Sequence, residues 1–414
     1  MTPAIVFDDG GGKLAPLTDL RASFDVRTGA LTTLERMKLA LDLDVIALRT
    51  PEGLAQLTRE RHNGMPVNSW PDNPGLESGV LLLNGRCPIS YEPIANLEVG
   101  QSVLEESSGD LIAAMVSADD AKRFMASGET APASAGPIAR IPGVALLTRP
   151  WHVRTFRDDC IASDLELLGD AEPPEIPPGV TVFGGHGLTI DPSAKVYPGV
   201  IIDLEHGPVA IGADVTIRPG VTLIGPCAFL PHCTVLDKAL IKGNTAIGPH
   251  CKVAGEVGGT IFQGYSNKGH DGHLGDSYIG EWVNLGAGTT NSNLLNTYGE
   301  VISVAAPGMS NEKTGQQFFG AVIGDHVKTA ICTRIMTGAI LHTGNMFAQT
   351  AAVSGCVGGF NWSTDAGRKP FRFDKFLEVA KAAMKRRKLE PSAAMVERLR
   401  TLHGQATTAG PAVA

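Results

Sequence analysis

The sequence predicts two unlike domains in one chain: an α/β domain first, then an all-β parallel β-helix with a C-terminal helical extension. Three observations carry that reading. A strand, a glycine loop, a helix and another strand follow one another between Ala4 and Leu48, the alternation of an α/β sheet. From Ile190 onward an aliphatic residue returns every sixth position, a period that suits stacked coils. From Phe373 to Arg387, apolar residues at 373, 376, 377, 380 and 384 keep helical spacing. The expected divisions are 1–165 for the α/β domain, 166–185 for a proline-rich linker, 186–360 for the β-helix, and 361–414 for an aromatic cap, helices and a disordered tail.

Composition agrees with this division. A chain of 414 residues exceeds one ordinary core. Its 49 glycines and 27 prolines, with only 6% aromatic residues, suit tight turns and short aliphatic side chains. A net charge of −8 argues against nucleic acid as the main partner. The seven cysteines show no CxxC pair and no zinc spacing, as expected of reduced cysteines in a cytoplasmic protein. No apolar run approaches the ~18 residues of a membrane span, so a soluble protein without a membrane partner is expected.

In the first domain, Ala4–Phe7 reads as a buried strand running into Asp8-Asp9-Gly10-Gly11-Gly12-Lys13-Leu14. Leu31–Leu43 reads as a helix with a capping box at Thr32 and Glu35. Val45–Leu48 and Val80–Leu83 are further strands, and a parallel sheet is expected. Glu129–Gly143, poor in charge, reads as a loop before a strand at Val144–Leu147. The backbone N–H groups of a glycine loop can approach phosphates, which makes Gly10, Gly11 and Lys13 candidates for nucleotide binding; a plain turn fits the same residues.

Leu168–Val180 (LGDAEPPEIPPGV) has neither periodicity and reads as a semi-rigid linker. The hexads then run through Ile190, Val196 and Ile202; Ile211, Ile217 and Leu223; Leu230 and Leu236; Ile241, Ile247 and Val253; and Ile279 and Leu285. Each hexapeptide would form one face of a triangular prism, with the aliphatic side chain inward and glycine or proline at the corner. The pattern breaks at Gln263–His273 and again at Asn291–Phe319, and is ragged at Ile335, Ile340 and Met346. Insertions in a solenoid tend to line a binding face. The first break carries two histidines, His270 and His273, among glycines. Trp362, Phe371, Phe373 and Phe376 are expected to cover the end of the prism, and a second helix is expected at Ser392–Leu402 before the tail QATTAGPAVA. Lys385 to Lys388 (KRRK) closes the first of these helices, as a solvated cationic turn or as a phosphate contact.

Several motifs resemble a known family. FDDGGGKLAPLT (7–18) resembles the nucleotidyltransferase opening, and VLLLNGRCPIS (80–90) resembles the strand that ends in Gly-Asp-x-Pro in sugar-nucleotide pyrophosphorylases. SNKGHDGHLGDSYIG (266–280) and VNLGAGTTNSN (283–293) are similar to the acetyltransferase half of the GlmU family, over a resemblance that covers most of 1–350. The resemblance implies a shortened nucleotidyltransferase-like domain, a left-handed β-helix, acetyl-CoA as co-substrate, an amino sugar phosphate or nucleotide sugar as acceptor, and a homotrimer. It puts His270 at the general base, Asn284 and Asn293 at sugar- or His-orienting positions, Ala287 where backbone meets acyl-CoA, and His273 at an acceptor-side position. A histidine near pKa ~6.5 is largely unprotonated at neutral pH and suits that base.

Two departures qualify the likeness. Arg86 stands where the family has its Mg²⁺-binding Asp, and a cation cannot replace a carboxylate ligand. Asp8 and Asp9 are the carboxylates left to rebuild a Mg²⁺ site, and Arg86 is otherwise a candidate phosphate contact. The family's basic pair falls on Gly258 and Gly259, leaving Lys268, Arg218 or Lys252 to grip a sugar phosphate. Two other readings stay in view. One is a non-catalytic sugar-nucleotide scaffold or sensor with both sites eroded. The other is a zinc site drawn from His232, His250, His270, His273 and His326; the expectation is no metal there.

Overall fold

The computed structural model describes residues 1–71, 79–132, 134–169 and 173–408, and these form two compact units. One comprises Met1–Leu14, Leu20–Val26 and Leu31–Arg149; the other comprises Ala15–Asp19, Arg27–Ala30 and Pro150–Ala414. The division in the chain therefore falls between Arg149 and Pro150, ahead of residue 165 and of the proline-rich stretch, of which residues 170–172 lie outside the described residues.

In the first unit, β1 (Thr2–Phe7), α1 (Thr33–Ala40), β2 (Leu43–Arg49), α2 (Glu52–Arg61), β3 (Val80–Asn84), α3 (Glu92–Ala95), β4 (Gln101–Glu105), β5 (Leu111–Val116), α4 (Ala118–Ala126) and β6 (Gly136–Ile141) build a six-stranded sheet in the order β2-β1-β3-β5-β4-β6. The capping box of α1 is present, with Glu35 N–H donating to Thr32 and Thr32 N–H to the Glu35 carboxylate. The sheet is mixed: β5 runs antiparallel to both β3 and β4, which corrects the parallel expectation. The supposed loop 129–143 contains β6, paired parallel with β4. Val144–Leu147, by contrast, makes no strand. The Ala145 and Leu146 N–H groups donate to the Glu105 carboxylate at 2.8 and 3.0 Å, so a side chain takes the donors a ladder would need.

The long C-terminal segment of the second unit begins with α5 (His152–Leu167) and continues as a three-sided parallel β-helix. Stacked rungs lie in register, for example Ile202, Leu223, Ile241, Val257 and Leu274 on one face. A second face carries Val196, Ile217, Val235 and Val253. These side chains are buried, at roughly 1.5–3 kcal/mol apiece, which makes a stiff mount for the residues outside. The phase differs from expectation in two places. Phe229 and Val235 point inward rather than Leu230 and Leu236, and Ile335, Leu341, Phe347 and Val353 keep the six-residue step where a ragged repeat was expected.

The break at 263–273 is much smaller than the sequence suggests. Strands at Ile261–Gly264, Asn267–Lys268 and His273–Gly275 carry the coil through, so only Gly269–Gly272 departs from it. The second break is a true excursion, holding the antiparallel pair Ile302–Ser303 and Glu312–Lys313. After the last coils come α6 (Phe373–Lys385) and α7 (Ala393–Thr408). Phe376, Ala380 and Met384 form the buried stripe of α6, and Phe376 meets Phe360, Phe371 and His326 edge-on. Gln405–Thr408 belong to α7 rather than to a disordered tail; the remainder of that stretch lies outside the described residues. No described helix is long and apolar enough to cross a membrane, and all seven cysteines are free thiols.

Candidate active site

The short departure at Gly269–Gly272 is held from below. Lys268 occupies the rung after Val253 on an inward-facing ladder and is only 1% exposed. Its ammonium donates to the carbonyls of Ala254 (3.1 Å) and His270 (2.9 Å), and burial pushes its pKa down to about 8. Lys268 therefore anchors the backbone beneath His270 and does not face a ligand, which corrects its expected role as a sugar-phosphate contact. On the far side Gly272 has φ +117°, and a Cβ there would run into the Thr289 carbonyl, so glycine is required.

His270 itself projects outward, and its ring has no partner among the described residues. It lines a cavity of about 710 Å³ together with Asn284, Ala287, Tyr265, Trp282 and Lys328, closed on one side by Val379, Ala382 and Ala383 of α6. A second lobe of about 550 Å³ shares His270, Gly269 and Ala287 with the first. Asn284 is fixed through its backbone between the neighbouring coils, bridging Asn267 and Lys328, which leaves its amide at the cavity wall. The Ala287 carbonyl accepts from the Cys332 N–H at 2.6 Å, while the Ala287 N–H has no acceptor among the described residues. The second lobe carries Asp237 and Asp271, while the ionisable groups of the first lobe are Lys252, Tyr265, His270, Lys328, Arg386 and Arg387, with no Asp or Glu among them. In a chain of net charge −8 this is a local reversal, and it favours an anionic ligand. Arg387 also donates to the Asn267 side chain at 2.9 Å, tying the end of α6 to the β-helix.

His273 and Asn293 do not line this cavity. They flank Gly275, where a Cβ would lie 2.6 Å from His273 Nε2 and 2.7 Å from Asn293 Nδ2. His273 faces Glu256 at 3.4 Å, and the Asn293 amide donates to Asp276 at 2.7 Å. The other Asp276 oxygen accepts from Arg154 (3.1 Å) and Arg157 (2.7 Å), both on α5. Arg157 also donates to the Gly259 carbonyl, so basic side chains reach the position where the sequence has only Gly258 and Gly259. Within one chain, then, His270, Asn284 and Ala287 come together, and Asn293 and His273 form a separate polar group.

The five histidines weighed for zinc do not converge. His232, His250, Tyr265, Trp282 and His326 stack at successive corners, each with φ between +54° and +62°, as an aromatic ladder along one edge. No group of three or more metal-binding side chains exists among the described residues.

In the first unit the glycine loop is already satisfied by its own chain. The Gly10 and Gly11 N–H groups donate to the carboxylates of Asp8 (2.9 Å) and Asp9 (2.8 Å), and the Lys13 N–H to the Thr148 carbonyl (2.9 Å). Arg86, 1% exposed, grips Asp9 through two nitrogens at 2.7 and 2.6 Å and Asp110 at 2.8 Å. Burial opposes ionisation of Asp9, but the Arg86 hydrogen bonds and charge outweigh it and hold the carboxyl low. Burial also raises Asp8, whose second oxygen accepts from the Ser23 N–H at 2.7 Å. A Mg²⁺ ion does not fit this arrangement, because the Arg86 guanidinium already holds Asp9 and both Asp8 oxygens accept from backbone N–H groups. Arg86 is likewise spent on Asp9 and Asp110 and is not free to hold a phosphate.

Residues 4–172 match the sugar nucleotidyl transferase family. Among curated relatives, the bifunctional protein GlmU of Koribacter versatilis is 25% identical over 197 residues, covering 42% of this chain and 38% of its own length. That of Buchnera aphidicola is 28% identical over 195 residues, covering 41% and 36%. That of Methanococcus vannielii is 30% identical over 130 residues, covering 31% and 28%. The chain thus spans about a third of the length of the curated relatives it matches. The structure of an Arabidopsis UDP-N-acetylglucosamine acyltransferase covers 57% of this chain and 94% of its own at 13% identity, with a TM-score of 0.19, too low to argue from. The likeness to the GlmU proteins read from the motifs is borne out, in a chain that joins a nucleotidyltransferase-type α/β domain to a parallel β-helix.

Proposed function

We propose that this chain is an acetyl-CoA-dependent N-acyltransferase acting on an amino sugar phosphate or nucleotide sugar, with His270 as general base. The observation that carries the reading is one cavity holding an unpartnered imidazole and an uncommitted backbone N–H at Ala287, with only basic or neutral ionisable groups in the lobe that Arg386 and Arg387 line. Acetyl transfer asks for each of these. The acceptor amine attacks the thioester carbonyl while His270 Nδ1 or Nε2 takes its proton, and the sulfur leaves as thiol. The Ala287 N–H is suited to the carbonyl oxygen as it gains charge, and the Asn284 amide to the acceptor's hydroxyls. Arg386, Arg387 and Lys252 suit the phosphates of the donor.

The test is free-thiol release from acetyl-CoA across a panel of amino sugar phosphates and nucleotide amino sugars. A saturable, acceptor-dependent signal is expected, and no turnover with any acceptor would remove the reading. The phosphate assignment is tested separately by calorimetry. Arg386→Ala with Arg387→Ala should weaken CoA binding about 10- to 100-fold, as loss of charge-assisted hydrogen bonds implies, and should leave binding of acetyl-pantetheine unchanged. Equal loss for both ligands would show that the substitutions damage the cavity wall instead. A homotrimer in the cytoplasm remains part of this proposal, the former to be read from sedimentation.

For the first unit we infer that the fold is kept without nucleotidyl transfer, since the phosphate loop is filled by Asp8 and Asp9 and the metal position by Arg86. Nucleoside triphosphate, sugar 1-phosphate and Mg²⁺ together should yield no pyrophosphate above background. Metal-dependent pyrophosphate release would overturn this part alone.

A further inference from the structure

Lys328 takes no part in the reaction above. It opens the two-residue strand Lys328–Thr329, pairs across a bridge with Asn284 on the preceding coil, and reaches the wall of the cavity that His270 lines. Its ammonium donates to the Trp282 carbonyl. No carboxylate pairs with it among the described residues, and the charged groups that share its lobe of the cavity are cations, Lys252, Arg386 and Arg387, with His270 and Tyr265 the other titratable ones; Asp237 and Asp271 line the second lobe, which Lys328 does not. A lysine in that setting pays for its charge in desolvation without recovering it from a partner, and burial pushes its pKa down to about 7. Lys328 is thus a half-neutral amine near physiological pH, fixed in orientation by a carbonyl.

We propose that Lys328 Nζ is itself an acyl acceptor, a modification site acylated by a thioester bound in this cavity. The inference rests on the reading of the cavity as the thioester site. The Nζ lone pair adds to the thioester carbonyl carbon, the C–S bond breaks with its electron pair leaving on sulfur, and one amine proton passes to that sulfur. The products are an Nζ-acyl-lysine and a free thiol, and no oxidant or further reactant is required. Acylation removes one of the cavity's cations and adds bulk beside Asn284, so it should slow transfer to the sugar: a brake that engages when donor is abundant and acceptor scarce.

The experiment incubates the full-length protein with acetyl-CoA, and in parallel with the small thioester S-acetyl-N-acetylcysteamine, and maps acetyl-lysines by peptide mass. Lys252, exposed at the rim of the same cavity, is the internal reference. Lys328 should be acetylated about tenfold or more faster than Lys252, since a lysine in water is almost wholly protonated at neutral pH. Its rate should rise with pH as the amine loses its proton through about 7, then level off above about pH 8. Lys328→Arg should keep the fold and the cavity's charge while losing the label. Labelling by both thioesters, saturable in acetyl-CoA, supports the proposal and the donor site together. Labelling by both without saturation in acetyl-CoA supports Lys328 as acceptor and counts against the donor site. An unlabelled Lys328 in a protein whose Lys252 is labelled overturns the proposal, whatever CoA binding shows.

Discussion

Replacing His270 by alanine is expected to lower acyl transfer about 10²- to 10⁴-fold, the usual worth of a positioned general base, with little change in stability or in CoA affinity. The separation of effects follows from the geometry. The ring is exposed and makes no described contact, so its loss leaves no cavity and strands no buried group. The backbone beneath stays fixed, because Lys268 holds the carbonyl of residue 270 rather than its side chain. The change should therefore fall on kcat, with KM for acetyl-CoA nearly unaltered. Initial rates of thiol release at saturating donor, with calorimetry of CoA binding alongside, check both halves. Equal rates in wild type and variant would take the base assignment away from His270. A lost rate accompanied by lost CoA binding would instead make the histidine part of the binding wall.

The β-helix was legible because its signal is covalent spacing repeated many times. An inward rung such as Ile241 or Val253 has the same register in every coil, so a six-residue step survives local noise. The reading slipped where two apolar neighbours compete for the inward position, or where the rung is not apolar at all. Phe229 and Val235 sit beside Leu230 and Leu236, and nothing in spacing alone tells which neighbour turns inward. Lys268 is the sharper case. A lysine among polar loop residues reads as a solvent-facing cation, yet the ladder continues through it, and its amine is satisfied by two carbonyls.

The site was legible only in part, for a related reason. His270, Asn284 and Ala287 lie close enough in sequence to be tied by coil spacing. Lys328 and the end of α6 reach the same cavity from distant segments, and no local pattern announces that. Asn293 went the other way: near in sequence, it is held by Asp276 in a different polar group. In the α/β unit, Arg86 was recognisable as a departure from a carboxylate, but its grip on Asp9 and Asp110 depends on β3 and the turn before β5 coming together.

The largest loss of stability is expected from Asp276→Ala. One oxygen of this carboxylate accepts from Arg157 at 2.7 Å and Arg154 at 3.1 Å, and the other accepts from the Asn293 amide at 2.7 Å. Arg157 is 4% exposed, so alanine at 276 leaves a guanidinium in low dielectric whose one ion-pair partner among the described residues is Asp158, itself about half exposed. Breaking a buried pair in this way costs about 3–5 kcal/mol, far above the 0–1 kcal/mol of a surface pair. The Gly259 carbonyl, which also accepts from Arg157, cannot neutralise that charge. The urea midpoint of the β-helix unit should therefore fall sharply with an unchanged slope. Removing the stranded cation as well, in Asp276→Ala with Arg157→Leu, should recover part of the loss, with a coupling of about 0.5–3 kcal/mol between the two sites. Additive losses would mean that Arg157 finds water or another anion once Asp276 is gone, and that α5 is held to the prism by its apolar face, Phe156 and Ile161 among it, rather than by this charge knot.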